Sequence, residues 1–135
     1  MSDTPLHHFP IRVYYEDTDM GGIVYHANYL RFIERARSDW VRSLGVDQNA
    51  MRAAGEVYVV RRVAADFLAP AKFDQELVVE TAPREITPAR LILKQTVRRD
   101  GQDLFTAEVT IVAIAVETGR PLRLPAEIRA LRSQI

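Results

Sequence analysis

NYLRFIERARSDWVRSLG, residues 28–45, decides the fold, because it has a helical period in a chain whose other long segments have the period of strands. Asn28 is a possible N-cap, and Gly45 is a natural end for a helix. The stretch therefore predicts one helix of about four turns. Its apolar residues recur at three- and four-residue steps: Leu30, Ile33, Ala36, Trp40, Val41 and Leu44.

Strand patterns lie on both sides of this helix. Before it, FPIRVYYED places Ile11, Val13 and Tyr15 on one face, which is the period of a half-buried strand. After it, the short link DQNAMRAAGE leads into four strand-like segments, with turns at PAKFDQ and DGQ. These segments are VYVVRRVAADFL, ELVVETAPREI, ARLILKQTVRR and DLFTAEVTIVAIAVE. The order is strand, helix and four strands, and the tail ends in a short amphipathic piece.

The last strand is nearly continuously apolar between Val109 and Val116. Both faces of such a strand are expected to be covered. Either the sheet wraps around the helix, or a second subunit covers what the helix leaves exposed.

Length and composition narrow the class of protein. With 135 residues, of which 47% are apolar and 27% charged, residues 1–135 are expected to form a single globular domain. The net charge of zero favours neither nucleic acid nor an anionic membrane as a partner. The chain has no Cys, the pattern of a signal peptide is missing from its start, and no apolar run is long enough to span a bilayer. A cytoplasmic location is therefore expected.

The segment YYEDTDMGGIVYHANY, residues 14–29, carries three carboxylates, two glycines and a histidine before the helix. It matches a calcium loop poorly, since position twelve counted from Asp17 is Asn28, and His26 stands alone as a zinc ligand. The two glycines lack the Lys and Ser/Thr of a phosphate loop. No metal site is expected.

A carboxylate at the start of a helix is another interpretation of this acidic loop. Asp19 lies seven residues before His26, and helix N–H groups can stabilise an oxyanion. A carboxylate facing such groups across a carbonyl can attack it or activate a water molecule. Asp and Gly are also ordinary turn residues, so spacing by itself leaves the choice between a turn and a site open.

The segment VYYEDTDMGGIVYHANYLRFIERARSDWVRSLG resembles the signature of the hotdog-fold acyl-CoA thioesterases of the 4-hydroxybenzoyl-CoA thioesterase group. It is most similar to their YbgC branch, which is associated with the Tol-Pal system. Weaker similarity continues through FLAPAKFDQELVV to the last strand. The resemblance implies an α+β hotdog fold, in which a five-stranded antiparallel sheet wraps around one long central helix.

The resemblance also implies an activity and its residues. The chain would hydrolyse acyl-CoA without a cofactor, with Asp19 as general base or nucleophile. The backbone N–H of His26 would polarise the thioester carbonyl, and Tyr15 matches the family's tyrosine. The implied assembly is a homodimer or a tetramer of two dimers, with a possible peripheral link to membrane-envelope machinery.

Further residues are candidates for substrate binding. Gly22 allows close approach of the substrate. Arg90, Lys94 and Arg98 share one strand face by the two-residue period, with Arg61 or Arg62 as a possible neighbour. Coenzyme A carries three phosphates, so this row could hold its nucleotide. An ordinary solvated sheet face is the alternative.

On the helix, Glu34 and Arg37 are three residues apart and are expected to form an ion pair. Glu34 could instead serve as a catalytic acid, because some hotdog enzymes use a helix carboxylate. Two other functions stay open: an enoyl-CoA hydratase or dehydratase of the same fold, and a non-catalytic module that binds acyl-CoA or an acyl carrier.

Overall fold

The computed structural model describes residues 6–135. Residues 1–5, part of the start that lacks a signal-peptide pattern, lie outside the described residues. The strands are β1 (His7–Arg12), β2 (Glu56–Phe67), β3 (Glu76–Ile86), β4 (Leu91–Arg99), β5 (Gln102–Ala115) and β6 (Pro121–Leu122). The helices are α1 (Asn28–Ser43), α2 (Gln48–Ala53) and α3 (Ala126–Arg129), and 3₁₀ turns span Tyr15–Asp17 and Ala130–Gln134.

The strands form one antiparallel sheet in the order β1-β3-β4-β5-β2, with the two-residue β6 beside β5. The tight turn at Asp100 and Gly101, both with positive φ, joins β4 to β5 at the predicted DGQ. β2 pairs with β5 and stands at one end of the five-strand order. The sheet and the single long helix confirm the predicted α+β hotdog architecture.

α1 packs on one face of this sheet. Phe32, Ile33 and Ala36 are almost completely buried, and so are the inward residues of the sheet, such as Leu93 and Val109. This contact stabilises the domain by about 25 cal/mol for each Å² of apolar surface that it removes from water. Gly45, with φ of +88°, ends the helix as predicted.

The start of α1 corrects two predictions. Ala27 occupies the N-cap position, whereas Asn28 is the first helical residue and its side chain contacts Asp17. Leu30 is 43% exposed, and Phe32 fills the core position instead. The period located the helix and most of its buried face correctly.

Two boundaries also differ from the prediction. β1 ends at Arg12, and Tyr15 enters a 3₁₀ turn because the Asp17 carboxylate accepts the Tyr14 N–H at 2.8 Å. The predicted link after α1 contains the short helix α2. The Asp47 carboxylate caps α2 by accepting the N–H groups of Asn49 and Ala50.

Both faces of β5 are expected to be covered, and this chain covers one of them. Val109, Ile111 and Ala113 are buried under the helix side of the sheet. Thr110 and Val112, on the other face, are only half-buried. Cover for that second face stays a prediction.

Candidate active site

A tight turn presents Asp19. An isolated bridge between Thr18 and Val24 closes its base, and the Asp19 carbonyl accepts the Gly22 N–H at 3.0 Å. The Asp19 N–H donates to the Ile23 carbonyl at 3.0 Å. Gly22 has φ of +76°, a conformation that other residues rarely adopt, so a glycine is required there.

The Asp19 side chain is exposed at the tip of this turn. Its Oδ1 accepts the Gly21 N–H at 2.8 Å. This hydrogen bond fixes the direction of the carboxylate, while Oδ2 has no partner within residues 6–135. Asp19 can therefore meet a ligand or a water molecule with one oxygen while the backbone holds the other.

Asp17, two residues earlier, has the opposite environment. It is 4% exposed, and its carboxylate accepts the Tyr14 N–H at 2.8 Å and the Asn28 amide at 2.7 Å. Its carbonyl accepts the Tyr25 N–H at 2.9 Å. Asp17 thus ties the loop to the start of α1.

The start of α1 supplies backbone donors. Asn28 donates to the Tyr25 carbonyl at 2.8 Å, and Tyr29 donates to the His26 carbonyl at 3.4 Å. In the part of the chain that the structure describes, the N–H groups of His26 and Ala27 have no acceptor. With no side-chain cap at Ala27, these two groups are available to an oxyanion at the positive end of the helix dipole.

The ring of His26 lies at the edge of an apolar cavity. Its centroid is 4.5 Å from that of Tyr25 and 6.1 Å from that of Phe67. The cavity has a volume of about 270 Å³, close to the lower end of the range for small-molecule sites. It is lined by Ile23, Val24, His26, Tyr29, Phe67, Leu68, Ala69 and Pro70.

Tyr29 forms the floor of this His26 cavity. Its hydroxyl accepts the Ala71 N–H at 3.2 Å, and its ring stacks on Phe105 with centroids 5.0 Å apart. Burial raises the pKa of Tyr29, which keeps the hydroxyl neutral.

Tyr15 lies at the outer side of the loop. Its side chain is 82% exposed, and its ring contacts Phe73 edge-on at 6.5 Å between centroids. Its carbonyl accepts both the N–H and the hydroxyl of Thr18. The contact it contributes to the loop is therefore through the backbone, and the described residues place its ring against Phe73 rather than His26.

The predicted basic row is present in part, because Lys94 and Arg98 line the same surface cavity on one face of the sheet. Arg90 lies in the turn before β4 rather than in the strand, and it pairs with Glu85 at 3.0 Å. Arg98 pairs with Glu80 and Asp103.

The other two basic candidates are exposed. Lys94 lies on the sheet face away from α1, beside Glu108 across the sheet. Arg61 sits in the bulge of β2 that shifts the register between Val60 and Arg62.

The expected ion pair on α1 is replaced by another contact. Arg37 donates to the Gln95 side-chain oxygen at 3.0 Å. Burial lowers the pKa of Arg37, and the charge of the exposed Glu34 partly offsets this. Gln95, fully buried, also donates to the Ile33 carbonyl and to Thr81. A polar residue at an inward position of a strand was the sequence signal for this network.

Glu34 and Arg37 also line a second cavity, of about 240 Å³, between α1 and the first half of β2. The hydroxyl of Tyr58, which contributes to its wall, is buried without a partner among the described residues. Burial and the charges of Glu127 and Glu56 raise the pKa of Tyr58.

Residues 6–135 contain no cluster of three or more His, Asp or Glu side chains arranged to hold a metal ion. None of the described helices is long and apolar enough to cross a membrane.

The fold is that of the hotdog enzymes, and Asp19 lies on the loop that leads into α1. A family model for the thioesterase-like superfamily matches residues 13–131, and the chain therefore belongs to this superfamily. Among curated relatives, the acyl-CoA thioesterase YbgC of Haemophilus influenzae is 39% identical over 123 residues, or 90% of each chain. The acyl-CoA thioester hydrolase YbgC of Escherichia coli is 38% identical, covering 95% of this chain and 96% of its own.

Solved structures agree with this membership. The crystal structure of a probable thioesterase from Bartonella henselae superimposes with a TM-score of 0.85 at 38% identity, covering 90% of this chain and 100% of that one.

Proposed function

We propose that this protein is an acyl-CoA thioesterase, which hydrolyses an acyl-CoA thioester to a free acid and coenzyme A. The observation that carries the proposal is the exposed Asp19 carboxylate, which the Gly21 N–H holds in place. The chain after this turn leads to His26 and Ala27, whose N–H groups have no acceptor among the described residues. The YbgC relatives are named as an acyl-CoA thioesterase and an acyl-CoA thioester hydrolase, which supports the choice of substrate.

The chemistry begins at the carbonyl. The N–H of His26 stabilises the negative charge that develops on the carbonyl oxygen. In one route, Asp19 takes a proton from water while the water oxygen attacks carbon; the C–S bond then breaks, and Asp19 returns its proton to the coenzyme A thiolate. In the other route, the carboxylate attacks, the thiolate leaves, and water hydrolyses the resulting mixed anhydride.

One carboxylate and one oxyanion donor are sufficient to hydrolyse a thioester. Its carbonyl is more electrophilic than that of an amide, and a thiolate is a good leaving group that needs little protonation. No cofactor or metal takes part in the proposed reaction. Tyr15 contributes through its backbone contact with Thr18, as part of the loop that carries Asp19.

Substrate binding is proposed to use the surface around the loop. Gly22, which lacks a side chain, lets the thioester approach Asp19, and the His26 cavity holds an apolar part of the substrate. Arg61 and Lys94 are proposed phosphate contacts because both are exposed. Arg90 would have to exchange Glu85 for a phosphate, which makes it the weakest of these candidates.

The protein is proposed to be a homo-oligomer. β2 offers a free edge of twelve residues, and Val60, Val63 and Phe67 on it are 47%, 40% and 53% exposed. A long apolar edge strand invites pairing with another chain. Two copies joined by antiparallel β2 strands would bring the His26 cavity of one next to the first half of β2 of the other, and two such dimers would form a tetramer. Sedimentation of a monomer at micromolar concentration would contradict this assembly.

We further propose a cytoplasmic site of action and a peripheral link to membrane-envelope machinery. Both rest on the resemblance to the YbgC branch. Fractionation of cells that express the tagged protein tests the location.

The activity is tested by thiol release from a panel of acyl-CoAs that varies in chain length and includes aromatic acyl groups. Asp19→Asn is expected to keep the fold, because an amide oxygen can still accept the Gly21 N–H. Its kcat/KM is expected to fall by about 10²-fold or more, the usual contribution of a catalytic acid–base group.

Three outcomes would contradict the proposal: full activity of Asp19→Asn, water addition to enoyl-CoA without thiol release, or tight binding of acyl-CoA without any turnover. A single turnover in heavy-oxygen water labels the Asp19 carboxylate if an anhydride forms and water attacks its aspartyl carbon, whereas general-base catalysis labels only the released acid.

A further inference from the structure

Asp17 is a buried carboxylate that joins three parts of the chain. One oxygen accepts the Tyr14 N–H at 2.8 Å, and the other accepts the Asn28 side-chain amide at 2.7 Å. The Asp17 carbonyl accepts the Tyr25 N–H at 2.9 Å. We call these contacts the Asp17 clamp. They hold the segment before the acidic turn, the segment after it and the first residue of α1.

The clamp needs an aspartate. Both of its side-chain partners are N–H donors, and an ionised carboxylate is the short side chain that only accepts hydrogen bonds. An asparagine would place an NH₂ group against one of these donors. Asp17 is 4% exposed and Asn28 is 9% exposed, so water cannot readily replace the lost bond.

The clamp joins residues that are close in the chain to both groups that the proposed reaction uses. Asp17 is two residues before Asp19, and Tyr25 and Asn28 lie on either side of His26. The bridge from Thr18 to Val24 continues the same pairing toward the turn. The separation between the Asp19 carboxylate and the His26 N–H is therefore set by contacts that converge on Asp17.

We propose that Asp17 is a positioning residue for the hydrolysis, and this inference rests on the proposed function: its carboxylate fixes Asp19 relative to the donors at the start of α1. It does not contact the substrate. Its effect is on the geometry of the transition state, and hence on kcat rather than on the binding of coenzyme A.

The test is a reciprocal exchange at positions 17 and 28. Asp17→Asn is expected to lower kcat about 100-fold, the cost of a catalytic group displaced by about 1 Å, with KM near that of the wild type. Asn28→Asp alone places two carboxylates together and is also expected to lower kcat. In the double variant, the new amide at position 17 donates to the new carboxylate at position 28 and still accepts the Tyr14 N–H, so kcat is expected to recover most of the loss.

Glu16→Gln is the matched control, because Glu16 lies in the same 3₁₀ turn but is exposed. It removes the same charge without removing a buried contact, and wild-type kcat is expected. A drop equal to that of Asp17→Asn would assign the effect to charge and overturn the positioning role.

Amide hydrogen exchange provides a readout that does not depend on turnover. In Asp17→Asn, exchange at Tyr14, Gly22 and Tyr25 is expected to accelerate, and in the double variant it is expected to slow again. Faster exchange with unchanged kcat, or a double variant that folds but stays as slow as Asp17→Asn, would overturn the inference. If the wild type hydrolyses no acyl-CoA, the proposed function fails, and unchanged exchange in Asp17→Asn would then overturn the clamp separately.

Discussion

Replacing Gly21 by alanine is expected to raise the stability of the protein and lower its activity. A Cβ atom at position 21 would lie 3.1 Å from Asp19 Oδ1, about 0.3 Å less than the 3.4 Å at which ordinary contacts begin. The exposed Asp19 side chain must give way by about this distance. The backbone at Gly21 does not have a positive φ, so alanine can adopt its conformation without strain.

The expected magnitudes follow from this geometry. If a displacement of 1 Å costs about 100-fold in rate, a shift of about 0.3 Å costs about fourfold in kcat/KM, or about 0.8 kcal/mol in activation free energy. Alanine also restricts the unfolded chain, which raises the free energy of unfolding by about 0.4–1 kcal/mol. The two effects have opposite consequences for the protein, and a general loosening of the loop would not produce both.

Thiol-release kinetics and urea unfolding measure the two effects on the same preparation. Gly22→Ala is the matched comparison. Its Cβ would meet no atom within 4 Å, but φ of +76° strains an alanine, so the free energy of unfolding is expected to fall by about 1 kcal/mol. Wild-type kcat/KM in Gly21→Ala would refute the argument that the direction of the Asp19 carboxylate limits the rate. Reduced stability of Gly21→Ala would refute the account of its backbone.

Three further predictions concern stability and are measured by urea unfolding. Tyr58→Phe removes a buried hydroxyl that has no partner among the described residues. The free energy of unfolding is expected to stay constant or rise by up to about 1 kcal/mol. A clear loss of stability would mean that the hydroxyl is hydrogen-bonded in solution. Gln95→Ala leaves the Ile33 carbonyl and the Arg37 guanidinium without their partner, and the free energy of unfolding is expected to fall by about 2–4 kcal/mol. An unchanged midpoint of urea unfolding would show that water replaces both hydrogen bonds. Asp47→Ala removes the cap of α2 and is expected to cost about 1 kcal/mol, and no loss would mean that α2 is frayed in solution.

Much of the fold was predictable from local patterns. The three-to-four-residue period located α1, strand-forming residues between turn signals located β3 at its observed bounds, and Gly45 and the Asp100–Gly101 turn marked ends. These features follow from backbone geometry that each segment carries by itself. The short helix α2 was also visible in principle, since Asp47 is a cap and Gly55 a stop, but six residues give too short a period to separate from a link.

The candidate site was only partly predictable. Asp19 and His26 were found through the motif that contains them. The structure adds that the Gly21 N–H orients the Asp19 carboxylate, and that the His26 N–H has no acceptor among the described residues. The sequence around Glu16, Asp17 and Asp19, however, does not indicate that the three side chains have different environments. Glu16 is exposed, Asp17 is buried and bonded, and Asp19 is exposed at a turn.

The sequence by itself therefore determined the order of the long elements, the position of the long helix and the residue types available for catalysis, because these depend on periodicity and on short-range backbone preferences. Only the tertiary structure decided which polar side chains form hydrogen bonds with each other. Arg37 meets Gln95 rather than Glu34, and Asn28 meets Asp17 rather than capping its own helix. Such contacts join residues that are distant along the chain, and the energy of a buried polar group depends on which donor or acceptor the folded chain brings to it.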